Sequence, residues 1–125
     1  MSVKVELGEL ASTVERYGFA YLVTVGDAGR AHVLAVSPVV EGDGLVVDGV
    51  GGHTEANVAA RPHVTLVWPP VEPGGYSLLV DGSATADGST VTVVPAKAVL
   101  HRPAAGPDGR RTGSDCVAVP LAEQA

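Results

Sequence analysis

"FAYLVTVGDAGRAHVLAVSPVV", residues 19 to 40, decides the fold class. Two runs dense in valine and other strand-forming residues flank "GDAGR", a turn of glycine and aspartate. Such side chains suit a pleated surface, and a loop this short joins neighbouring antiparallel strands. The second run is apolar on both alternating faces, at Val33, Ala35 and Val39 and at Leu34, Val36 and Val40. A strand of that kind needs cover on both sides. In a chain of 125 residues, a second subunit is a ready source.

The same pattern continues outward. "GLVVDGV", "HVTLVW", "YSLLVDGSATA" and "TVTVVPAKAVLHRP" are further strand candidates, separated by "EGDG", "PPVEPGG" and "DGS". Two helices interrupt them. "ELGELASTVERYG" sets Leu7, Leu10, Ala11, Val14 and Tyr17 at helical spacing and stops at Gly18, which predicts a helix over about 6–17. "GGHTEANVAARP", residues 51 to 62, predicts a second over 53–60. Six strands, two short helices and connections too short for parallel crossovers give a mainly β (α+β) antiparallel fold. Closure into a small barrel removes exposed edges. The expected domain covers residues 1–102. Residues 103–125 form a Pro/Gly-rich tail in which "DCVAVPL" could add a last short strand.

Composition narrows the function. Hydrophobic content of 46% supports one packed core without staples. The net charge of -6, with scattered basic residues, argues against nucleic acid, whose phosphates such a surface repels. "MSVKVELGEL" carries Lys4, Glu6 and Glu9, so it reads as neither signal peptide nor membrane span. The single cysteine, Cys116, fits a reducing cytoplasm and offers no thiol-nucleophile pairing. His32, His53, His63 and His101 show no metal-ligand spacing, so no metal is expected. There is no P-loop, no G-x-S-x-G and no dinucleotide fingerprint.

The order of these motifs resembles the pyridoxamine 5′-phosphate oxidase-like, FMN-binding split β-barrel family, over about residues 6 to 100. The hairpin with its D-x-G-R turn and following His-Val resembles that family's opening. "TEANVAARPHVTLVW", a short helix with an early Asn and a closing Arg-Pro before a strand ending in Trp, is similar to its midpoint. "YSLLVDGSATA" is similar to its next strand. The resemblance implies a homodimer with cofactor sites at the interface, FMN as the commonest ligand, and a deazaflavin coenzyme as the alternative. It implies a flavin-binding oxidoreductase acting on an unknown small molecule. The alternatives are a deazaflavin-dependent reductase and a non-enzymatic ligand-binding barrel. Oxidation of pyridoxamine phosphate itself is not expected, because the closing Arg- and His-bearing segment of the true oxidase is absent.

Each candidate site residue also has a plainer reading. Gly51 and Gly52 can simply turn the chain while Thr54 caps the helix. Equally, they can let a phosphate reach backbone N–H groups, with His53 and Thr54 donating. Under the resemblance Val50, Gly51, Gly52, His53 and Thr54 hold the phosphate end, and Ser37, Trp68 and Ser77 lie near the ring. Where the family often carries Lys or Arg, three residues before the helix Asn, this chain has Thr54. Asn57 shares a helix face with His53 and either tethers the loop or touches cofactor. Arg61 fits the helix C-terminal carbonyls, Trp68 fits core packing, and His32 fits an edge or interface. Alternation sets His32 and Ser37 on opposite faces.

Overall fold

A computed structural model describes residues 1–104. The residues expected to form the tail from 105 onward, with Cys116 and the candidate last strand, lie outside the described residues.

The chain begins with β1 (Ser2–Val5), a short 3-10 turn at Leu7–Glu9 and α1 (Leu10–Val14). The hairpin β2 (Ala20–Val25) and β3 (Ala31–Val36) follows, then β4 (Val39–Glu41) and β5 (Gly44–Val47). After α2 (Gly52–Ala60) come β6 (His63–Trp68), β7 (Ser77–Asp87) and β8 (Thr90–His101). All strands join one eight-stranded antiparallel sheet, ordered β3-β2-β6-β7-β8-β5-β4, with β1 paired to β8 beside β5.

Three expectations need correction. Among the described residues the strands number eight, not six. One extra strand is β1, a four-residue run in which Lys4 hid the pairing with the end of β8. The other is β4, which Ser37-Pro38 separates from β3, because proline lacks the N–H that would continue the ladder. The first helix is shorter than 6–17: Gly8 sits in a 3-10 turn, and Thr13 bonds its hydroxyl to the Glu9 carbonyl at 2.8 Å. The second begins at Gly52 rather than at residue 53.

The sheet is not closed, yet its edges cannot lie far apart. β3 and β4, at opposite ends of the strand order, are joined only by Ser37 and Pro38. Three virtual bonds span at most about 11 Å from Val36 to Val39, so the sheet must curl round on itself. Inside the curl lies one core, including Leu22, Leu45, Leu66, Trp68, Leu78 and Val93, and each full burial contributes about 1.5–3 kcal/mol. α2 packs against β2 and β7.

β3 is not buried on both faces within the chain. Val33 is 56% exposed, and Tyr21 on β2, paired with Ala35 of the same face, is 37% exposed. The register sets Ala35, Tyr21, Val67, Leu79 and Val99 in one row across five strands on this outward face.

Candidate functional site

The site is built around the start of α2. Asp48 accepts a hydrogen bond from the Thr90 hydroxyl at 2.9 Å, and the Val50 N–H donates to the Ser89 carbonyl at 2.9 Å. These contacts pin the entry loop to the β7–β8 turn. Gly49, with φ of 76°, makes the bend that requires glycine. Val50 is buried, and Gly51, Gly52 and His53 are exposed.

Gly51 and Gly52 carry the chain into the helix without any conformation that only glycine adopts. Gly51 is the N-cap with φ of -86°, Gly52 shows no positive φ, and a Cβ added at either would meet nothing within 4 Å. Nor does Thr54 cap the helix. It is the third helical residue, 1% exposed, and its hydroxyl is buried without a partner. The first turn has no side-chain cap, so its leading N–H groups stand free of any capping oxygen.

Behind this turn the helix is anchored. The Asn57 amide donates to the Thr24 hydroxyl at 3.0 Å, both groups being buried. Gly26 gives Asn57 room, since a Cβ there would lie 3.1 Å from its amide oxygen. Asn57 therefore ties the helix to β2, and not to its own entry loop as its plainer reading supposed. Arg61 departs from expectation: its guanidinium pairs with Asp27 at 3.1 Å rather than with helix carbonyls. His32 points to the inner face of β3, where its ring lies 5.7 Å from that of His53 and its Nδ1 is buried without a partner.

The other candidates stand apart. Val36 pairs with Ala20, while His32 pairs with Thr24, so Ser37 lies about 16 Å along the strand direction from His32. Ser37 is exposed in the linker. Trp68 is fully buried at the end of β6 remote from Thr24, with its indole N–H unpartnered. Ser77 begins β7 on the outward face, whereas Trp68 faces inward opposite Leu78. One chain thus gathers Val50 to Thr54, Asn57 and His32, and leaves Ser37, Trp68 and Ser77 elsewhere.

The sequence reading missed Thr24 and Gly26. The signal was there: Thr24 is a polar residue in an inward-facing row with Ala20 and Leu22, and a buried hydroxyl calls for a partner. Cavities of the single chain also open elsewhere, one of about 660 Å³ beside Lys4, Leu7 and Lys97 and one of about 400 Å³ beside Leu10, Val40 and Leu45. The exposed start of α2 needs a second surface before it can enclose a ligand.

Comparison with known proteins agrees with this architecture. An uncharacterised protein of Mycobacterium bovis is 45% identical over 130 residues, covering 91% of this chain and 91% of its own, as is one of Mycobacterium tuberculosis. The chain belongs to this mycobacterial family. No family model matches it. Among solved structures, a provisionally assigned pyridoxamine 5′-phosphate oxidase from Listeria innocua superposes with a TM-score of 0.63 at 17% identity, over 75% of this chain and 96% of that one. An FAD-binding protein of Mycobacterium smegmatis gives 0.59 at 16%, over 82% and 100%. An F420 reductase gives 0.58 at 19%, over 70% and 93%. The fold is therefore the split barrel of pyridoxamine 5′-phosphate oxidase-like proteins. Among the described residues of this split barrel, no helix is long and apolar enough to cross a membrane.

Proposed function

We propose that the chain is a cytoplasmic, homodimeric split-barrel oxidoreductase that binds FMN, with the cofactor phosphate at the start of α2. The observation that carries this reading is the pair Gly51-Gly52. Neither conformation nor packing within the chain calls for glycine at either position. Close approach of a ligand oxygen to their N–H groups does. The buried, unpartnered hydroxyl of Thr54 in the same turn supports it, because an orphaned polar group costs about 1–3 kcal/mol unless something satisfies it.

In this reading the N–H groups of the first turn and the His53 ring hold the phosphate, and Thr54 donates from beneath. Val50 fixes the loop. Asn57, through Thr24, sets the helix so that its first turn presents outward. FMN, when bound, supplies the hydride chemistry. Ser37 and Ser77 serve the ring side, and their distance from α2 means that the partner subunit provides them. Full burial gives Trp68 a shaping role from within the core. The exposed apolar row around Tyr21 and Val33 is the support for dimerisation, since it covers more of the sheet than a lone barrel has reason to leave apolar.

A second reading is favoured by the donor set. His53 and Thr54 stand where the resemblance leads one to expect a fixed cation, Glu55 adds negative charge, and Arg61 is engaged by Asp27. Weak phosphate binding of that kind suits a deazaflavin coenzyme, or a non-enzymatic barrel that stores another ligand. Fluorescence titration with FMN and with deazaflavin separates these. FMN saturation in the micromolar range, weakened at least tenfold by Gly52→Val, is expected. Saturation by deazaflavin alone selects the reductase, and no saturation by either below millimolar concentration removes the flavin reading. Thr54→Val should weaken binding while leaving stability unchanged or raised by about 1 kcal/mol, because it removes an orphaned hydroxyl.

A further inference from the structure

The geometry points to a divalent transition-metal site formed by His32 and His53. The two residues are 21 positions apart and sit on different elements, an edge strand and a helix start. Their ring centroids are 5.7 Å apart at a 34° tilt. Two imidazoles on one cation, with metal–nitrogen bonds of about 2.0–2.1 Å, place their centroids roughly 5 to 6.4 Å apart for angles from tetrahedral to linear. An aromatic contact alone would account for the distance. It would leave the buried Nδ1 of His32 without a partner, and a shared cation satisfies it.

Imidazole nitrogen selects Zn²⁺, Cu²⁺ or Ni²⁺ over the oxygen-loving Mg²⁺ and Ca²⁺. Among the described residues no cluster of three or more His, Cys, Asp or Glu side chains could hold a metal. The two histidines therefore form an open site whose remaining positions fall to water or an anion, and the free N–H groups of α2 stand beside them for that anion. The partial positive charge of the helix start opposes the cation, and Glu55 in the same turn offsets it.

This inference shares His53 with the proposed phosphate site but does not depend on flavin, so the test is run without any. The chelator-treated full chain is titrated with Zn²⁺, Ni²⁺ and Cu²⁺ by calorimetry, with bound metal counted after desalting. One ion per chain is expected. Affinity should fall at least tenfold in His32→Gln and in His53→Gln, and persist in His63→Gln and His101→Gln. Absence of saturable uptake overturns the site. So does uptake that survives either of the first two substitutions, or uptake abolished by His63→Gln or His101→Gln. Circular dichroism confirms that each variant is folded. Because His53 is exposed at a helix start, His53→Gln keeps the test decisive if His32→Gln does not fold.

Discussion

Tyr17 shows how one side chain records its surroundings. Its hydroxyl donates to the Tyr76 carbonyl at 3.0 Å, fastening the segment after α1 to the start of β7. Burial raises its pKa, with Arg16 nearby pulling the other way. A raised folded-state value means that the folded chain holds this proton more tightly than the unfolded one. The associated stability is complete below the ordinary tyrosine value of about 10 and is lost as pH rises through the folded value. Urea unfolding from pH 8 to 11 should show a decline confined to the alkaline end. Tyr17→Phe should shrink that decline while costing about 1 kcal/mol at pH 8 through the missing hydrogen bond. An unchanged alkaline slope in the variant would assign the loss to other groups.

Between elements, β7 and β8 come close together where the register shifts between Asp81 and Gly82. A side chain at Gly82 would run into the Val94 carbonyl, which is backbone and cannot swing aside. Gly82→Ala should therefore destabilise by about 1–3 kcal/mol, read as a lower melting temperature. A silent substitution would show that the two strands can part there. The same element shows what sequence can and cannot reveal. Its alternation was plain, as was that of β2 and β6, because period-two burial writes itself directly into residue order. β1 was obscured because pairing with distant His101 to Ala98 leaves no local mark beyond a four-residue run broken by Lys4. β4 was obscured because a proline inside an apolar run looks like a flaw rather than a crossing. At the site, Val50 to Thr54 and Asn57 were legible as one contiguous helix start. The His32–His53 approach was not, since only the folded chain brings these two rings, 21 positions apart, beside one another.

At the scale of the molecule, the outward row of Ala35, Tyr21, Val67, Leu79 and Val99, with Val33 beside it, is the surface on which the proposed dimer depends. Val33→Glu places a charge there without touching the core. It should shift the protein to monomer in sedimentation velocity with an unchanged circular dichroism spectrum, and flavin affinity should fall with it. A dimer that survives would place the interface on another face. The short tether at Ser37-Pro38 has a mechanical consequence of its own. Proline holds the preceding residue extended, so the two-residue strap has little slack to give. The slot between β3 and β4 therefore behaves like a clasped collar: it can narrow, but it cannot spread beyond about 11 Å at the strap. Cutting the chain at this dipeptide would unfasten the collar without removing a single strand-to-strand hydrogen bond.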